Sequence, residues 1–513
     1  MKPKLTLLLL MFLLIVAACV PPPPGAPVAP DATAEPSRAA AEVATPPSKA
    51  AEATIVRLTV LYTNDEHGWM LGQEEGRGAA NLVGLWQEKF GYGDEGNFLV
   101  LSGGDNWTGP AVSTWFQGES MVEVMNTMGY DASVIGNHEF DFGLETLQQR
   151  LGEADFTYLS ANIRYKDSGA VPTDLGIQPY ALVDVGGLKV GLIGLTTTNT
   201  AFTTNPANIT EFDFIGYTEA LREFVPELQA AGADLIFVPG HLCTPEIVEV
   251  TAVAEELGID FVGGGHCNEL VADERNGAVT LVGGAHMATY AWATFTYDTA
   301  TDEVLAVEYG VEQNQGGAED PAVAAVVAKW QAETDATLSE VIGYLEKELP
   351  RRSQAIEDLI TESWLWGYPQ ADIALTNRGG IRAGIPAGDV TLAEIIGVLP
   401  FNNVLIEVHL TGKQLEQALV GHLDRTAVGG MHRAGFHWAL DATGERLDKD
   451  TVYSVLVNDF MYAGGDDYTL FARYDPNAYD TGIDWRQPVI DWILDQDSSP
   501  AQPLDEAIAG LGD

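Results

Sequence analysis

Positive charge is what this chain has least of: 26 Lys and Arg stand against 74 Asp and Glu in 513 residues, a formal net charge of −48. That balance excludes nucleic acid as a partner and a broadly basic surface for anionic membranes. An anionic substrate must therefore be drawn in locally, and bound divalent cations supply such an attraction because they reverse the sign of a site. Past the N-terminus there is no apolar run long enough to span a bilayer, and there is no internal repeat. Nothing singles out a protein partner. What is present in quantity is length, enough for two domains with extensions.

The first residues read as a targeting segment, with Lys2 and Lys4, an apolar run from Leu5 to Val16, then Val16-Ala17-Ala18-Cys19. The run resembles a bacterial lipobox, which implies cleavage before Cys19, lipidation of that residue and a lipid anchor holding the protein outside the cytoplasmic membrane. Plain secretion is the other reading. A Pro- and Ala-rich stretch over 20–53 predicts a disordered spacer. Alternating strand and helix patterns over 54–315 predict an α/β domain. Apolar residues at helical spacing (Val323, Val327, Trp330, Leu338) predict a connecting helix within 316–340. A second mixed domain is expected over 341–497, and a loosely attached tail over 498–513.

The chemistry sits in polar clusters that close apolar, β-branched runs. Asp65 and His67 follow Val60-Leu61-Tyr62; Asp105 follows Leu99-Val100-Leu101. Gly136-Asn137-His138-Glu139-Phe140-Asp141 follows Ser133-Val134-Ile135. His241 follows Leu235-Ile236-Phe237-Val238, and His266 and Asn268 follow Ile259-Asp260-Phe261-Val262. Five strands are thus expected to bring their polar tips to one edge of a sheet, where open α/β sheets build sites. Two adjacent divalent ions need a bridging carboxylate, for which Asp105 is suited, and neutral N and O ligands with open positions for water and substrate.

These motifs resemble the series of calcineurin-like metallophosphoesterases and, more narrowly, the 5′-nucleotidase family, over about 420 residues from Leu58 to Asp475. The resemblance implies a four-layer αββα metallophosphoesterase domain, a linker helix and a second α/β (α+β) substrate-binding domain. It implies one ion, zinc, manganese or cobalt, on Asp65, His67, Asp105 and Asn268, and a second on Asp105, Asn137, His241 and His266. Asn268 stands where many relatives carry His or Gln, all of which supply a neutral ligand atom. His138, oriented by Asp141, is implied as donor to a phosphate oxygen.

In Asn377-Arg378-Gly379-Gly380-Ile381-Arg382 the glycines allow a tight turn, and two guanidinium groups are expected to face one opening suited to phosphate. The family implies that Phe401 and Phe460 sandwich a base, that Asn377 and Asp466 contact base and ribose, and that Arg382 contacts phosphate. It also implies a large rotation between the two domains. Its opening pattern for this domain is missing here, and Arg351, Arg352 and Arg378 are all candidates for a further arginine. Cys243 and Cys267, each within two residues of an expected ligand, form either a disulfide or two buried thiols. The activity implied is hydrolysis of a nucleoside 5′-monophosphate. The alternatives are a 2′,3′-cyclic-nucleotide phosphodiesterase with 3′-nucleotidase activity, a UDP-sugar or sulfur-compound hydrolase, and a nucleotide-binding lipoprotein without catalysis.

Overall fold

The computed structural model describes residues 54–93, 96–432, 440–441 and 447–512. Cys19, the leader and the spacer lie outside the described residues. One six-stranded sheet runs in the order Glu303–Gln313, Thr289–Asp298, Ile55–Thr63, Phe98–Ser102, Ala132–Val134, Thr157–Leu159. A second runs Leu270–Arg275, Ala278–Gly283, Phe261–Gly263, Leu235–Val238, Leu188–Ile193, Tyr180–Val185.

Side-chain alternation explains why they stack. Leu58, Val60 and Tyr62 point into a core shared with Val190, Phe237, Phe261 and Leu281 of the other sheet, whereas Leu61 faces outward to helices Ala79–Phe90 and Glu119–Met128. The second sheet carries helices Tyr217–Ala230 and Thr244–Thr251 on its outer face. The result is the expected αββα arrangement. The five motif strands do not share one sheet, however: three lie in the first and two in the second. Period-2 patterning identifies a strand and its buried face without saying which sheet receives it.

Helix Pro321–Leu338 begins on Asp320, whose carboxylate accepts from Ala322 and Val323 N–H at 3.0 and 3.1 Å. Its buried residues include Val323, Val327, Trp330 and Leu338. Beyond it, a five-stranded sheet (Thr426–Gly429, Ile373–Asn377, Val452–Asn458, Val404–Thr411, Tyr479–Asp484) is covered on one face by helices Gln354–Gly367 and Gln487–Asp495 and on the other by Gly412–Leu419. The expectation of a loose tail is wrong for its described part. Leu504 and Ile508, one helical turn apart, insert into this core, Leu504 N–H donates to Tyr344 O at 2.9 Å, and Asp505 accepts from Glu346 N–H at 2.8 Å. Two apolar residues at i and i+4 outweigh a polar composition when a groove receives them.

Candidate metal centre and facing pocket

The strand ends that carry the clusters turn sharply. Asp65, His67, Asp105, His266 and Asn268 all have φ between 47° and 68°, a region that Asp, Asn and His tolerate better than most residues. Gly104 (φ +87) and Gly136 make the bridge position possible: a Cβ on Gly136 would stand 2.2 Å from Asp105 Oδ1.

Several of the donors are aimed by a second bond. His67 Nδ1 lies 2.9 Å from Thr108 O, and His241 Nδ1 lies 2.8 Å from Gly103 O. Both rings therefore carry their proton on Nδ1 and turn Nε2 to the site, as histidine ligands do. His241 Nε2 lies 3.0 Å from Asp105 Oδ2 and 3.2 Å from Asn137 Oδ1. His67 Nε2 is 3.9 Å from both Asp65 and Asp105. Asp65 accepts from Asn64 Nδ2 at 2.6 Å and from His266 N–H at 2.9 Å, which ties the first and last clusters together. Two groups of donor atoms result, one from His67, Asp105 and His138 and one from Asp105, His241 and His266, each within 4.8 Å. His138, expected only as an acid, thus stands at ligand distance from the first group.

The electrostatics call for cations. Burial raises Asp65 to about 6, with Asp105 adding to the rise. Burial acts to lower His241, yet Asp105 and Asp65 push it up to about 10. His266, half-buried beside His241, drops to about 4 through loss of solvent and the neighbouring imidazole. Carboxylates crowded out of water, with imidazole nitrogens aimed at them, form a donor set of the kind that divalent metals accept.

Two buried glutamates that the sequence reading assigned no role hold the loops. Glu139 accepts backbone N–H from Asp105 at 3.0 Å, Asn106 at 2.7 Å and Gly136 at 2.7 Å. Glu66 accepts from Ser102 Oγ at 3.0 Å and Asn106 Nδ2 at 2.8 Å, and from Thr63 Oγ1. Burial raises them to about 8 and about 7. Their only signal was an acid close to a Gly after a strand, Glu139 three residues past Gly136 and Glu66 two before Gly68. Beside the centre, His138 Nδ1 bonds Asp141 Oδ2 at 2.8 Å, and Thr108 Oγ1 donates to the same oxygen at 2.7 Å. Burial opposes protonation of His138, but Asp141 and Asp105 raise its pKa. Cys243 and Cys267 are joined, with Cα atoms 5.4 Å apart, so the loops bearing His241 and His266 are crosslinked.

A cavity of about 240 Å³ lies over these donors, lined by Asp65, His67, Asp105, Asn137, His138, Asp141, His266 and Asn268 on one side. Asn377, Arg382, Phe401, Phe460 and Asp466 line the other, together with Trp485. Fully buried His241 backs Asp105. Phe401 stacks on His138, centroids 5.6 Å apart at 24°, and Arg382 Nη2 lies 3.2 Å from His67 Nε2. Asn377 Nδ2 donates to Asp466 Oδ2 at 2.9 Å and its Oδ1 accepts from Asn458 at 3.0 Å. Arg378 departs from expectation. It does not line the cavity: its guanidinium forks onto Glu357 at 2.7 and 2.9 Å and reaches Asp424 O at 2.6 Å. Glu357, 21 residues upstream on helix Gln354–Gly367, is a stronger partner for this fork than solvent. Thr203, Thr204, Asn205 and Trp485 complete the walls, and spacing gave no signal for any of them.

A split αββα sandwich with metal donors at its strand tips, facing a second domain, defines a phosphoesterase of the calcineurin-like class. Residues 336–473 match the family model of the 5′-nucleotidase C-terminal domain. The 5′-nucleotidase of Vibrio vulnificus (strain CMCP6) is 29% identical over 517 residues, 84% of this chain and 89% of that protein. The trifunctional nucleotide phosphoesterase protein YfkN of Bacillus subtilis (strain 168) is 28% identical over 492 residues, 81% of this chain, which thus spans only 32% of that longer protein. The crystal structure of a 5′-nucleotidase precursor from Thermus thermophilus superposes with a TM-score of 0.72 at 26% identity, over 86% of this chain and 97% of that one. The chain thus carries the C-terminal domain of 5′-nucleotidases, is similar to 5′-nucleotidases over most of its length, and is a hydrolase.

Proposed function

We propose that the protein hydrolyses the phosphate ester of a nucleoside 5′-monophosphate, using two divalent ions of zinc, manganese or cobalt. One ion is held by Asp65, His67, Asp105 and Asn268, the other by Asp105, Asn137, His241 and His266. The observation that carries the reading is one cavity with metal donors on one wall and Arg382, two phenylalanines and an Asn–Asp pair on the other. When bound, the ions supply an activated water and neutralise phosphoryl oxygens.

The chain's own residues do the rest. Arg382 offers a forked guanidinium to the phosphate. Asp141 accepts a hydrogen bond from His138 Nδ1–H and favours the imidazolium form, whose Nε2–H donates to a phosphoryl oxygen as charge builds. Phe401 and Phe460 offer ring faces to a base, with Asn377 and Asp466 beside them for its edge and the ribose. Stacking tolerates many bases, so broad nucleotide use follows. Relative motion of the two domains admits the substrate.

The segment ending at Cys19 supports export and a lipid tether, and the Cys243–Cys267 bond fits an oxidising compartment. Among the described residues no helix is long and apolar enough to cross a membrane. A panel of adenosine 5′-, 3′- and cyclic 2′,3′-monophosphates with a nucleotide sugar tests the reading. Preference for the 5′-monophosphate supports it; preference for another ester retains the metal centre and reassigns the substrate.

A further inference from the structure

Thr203, Thr204 and Asn205 line the cavity from between two short turns, Thr200–Thr203 and Pro206–Ile209. The chain itself fixes their placement. Pro206 holds the residue before it extended, and Asn205 sits at φ −61°, ψ 115°. The Asn205 side chain caps the second turn, its Oδ1 accepting from Ala207 N–H at 3.1 Å. The first turn ends at Thr203, whose carbonyl has no partner within the turn and is free to accept elsewhere.

The stretch is bonded to the metal wall at several points. Thr203 O accepts from Asn137 Nδ2 at 3.1 Å. A carbonyl can only accept, so Asn137 is left with Oδ1 turned toward His241 Nε2, 3.2 Å away. Thr204 is buried and donates through Oγ1 to Asp141 Oδ1 at 3.4 Å; the other oxygen of that carboxylate holds His138. Asn208 Nδ2 donates to Phe140 O at 2.8 Å and to Asp141 O at 3.3 Å. The turn that carries Asn137, His138 and Asp141 is thus held from this side.

One further bond runs the other way. Asn205 Nδ2 donates to Asp459 Oδ2 at 3.3 Å, across to the second domain. Asp459 opens helix Asp459–Ala463, which carries Phe460, and its Oδ1 accepts from the N–H of Val404, at 3.3 Å, close behind Phe401. Asp459 therefore ties the segments of both phenylalanines to Asn205. Each of the two side chains keeps an oxygen on a backbone N–H, so the course of the chain aligns the bond between them.

We infer that Asn205 is a positioning residue: through its bond to Asp459 it makes the setting of Asn137 and Asp141 depend on a nucleoside held between Phe401 and Phe460. The inference rests on the nucleotide reading above. A link of this kind lets binding energy from the base, remote from the reacting phosphate, appear in kcat, because the groups that align the phosphate settle only when the base side is filled.

Calorimetry on manganese-loaded protein reads the link without turnover. In the parent, adenosine is expected to tighten orthophosphate binding by about fivefold or more, and phosphate to tighten adenosine by the same factor. Asn205→Ala is expected to bring that factor below about twofold. Asn205→Asp keeps the cap on Ala207 but sets two carboxylates face to face; the same fall is expected, and it carries the test where the alanine variant does not fold. Joining Asn205→Asp to Asp459→Asn exchanges donor and acceptor while leaving an oxygen for each backbone N–H, and is expected to return the factor to about threefold or more. Kinetics supply a second readout: Asn205→Ala is expected to lower kcat for adenosine 5′-monophosphate about tenfold more than kcat for p-nitrophenyl phosphate, which has no nucleoside. Adenosine that binds the parent without tightening phosphate, an equal factor in the parent and the folded single variants, or a double exchange as weak as the single ones overturns the inference and leaves the nucleotide reading standing. A parent that does not bind adenosine removes the nucleotide reading and this inference with it.

Discussion

The two walls of the cleft are built differently. On the metal wall Asp65, His67 and His241 each make a second bond that aims them, and the Asp105 loop is gripped by Glu139. On the facing wall Asn377 and Asp466 bond one another, while Phe401 and Arg382 make their close contacts across the cleft with His138 and His67. Chemistry at a metal demands donors fixed before the substrate arrives. A recognition wall whose contacts cross the gap gives them up when a substrate enters, so binding energy is gained against loose partners.

The carboxylate shared by both donor groups carries the largest expected effect. Asp105→Ala is expected to abolish turnover by more than about a thousandfold and to lower metal content, read by elemental analysis beside phosphate release. His138→Ala tests the donor without the centre: a loss of about 10²–10⁴ in kcat with metal content intact is expected. Loss of metal in that variant would instead make His138 a ligand, as its distance from His67 and Asp105 allows. Glu139→Gln presents an amide donor to three backbone N–H groups, and metal affinity is expected to fall by about 10–100-fold. Phe460→Ala on the looser wall should cost about 1–3 kcal/mol of nucleotide binding, seen in KM with kcat changed far less.

The smallest effect lies away from both walls. Burial raises Asp260 to about 6, against the N–H of Ile236. A carboxyl whose folded pKa exceeds its unfolded value gives stability at low pH that is lost as pH rises from about 4 to about 6. Asp260→Asn mimics the protonated form. Its unfolding free energy relative to the parent should therefore increase across that window by about 1–3 kcal/mol, measured by denaturant titration.

The two classes of residue were unequally legible. Donors at strand ends announce themselves because a β-branched run followed by Gly, Asp, Asn or His has few other uses, and the structure gathers Asp65, His67, Asp105, Asn137, His241, His266 and Asn268 into one region. The division of those strands between two sheets was not legible, since alternation is the same in either. Arg378 and Arg382 are alike in sequence, and only the distant Glu357 separates the paired one from the one in the cavity. Glu66 and Glu139 sit inside the motifs as acids with no evident task; their bonds to Asn106 and to backbone N–H groups are tertiary facts. Leu504 and Ile508 needed the groove that receives them.

Donors of the first domain and the pocket of the second are expected to act on one phosphate. Phosphate release from adenosine 5′-monophosphate by manganese- or zinc-loaded protein, before and after chelation, tests it most directly. Release is expected to stop with chelator and to return with metal. Release that persists in chelator, or no release from metal-loaded protein, would contradict it.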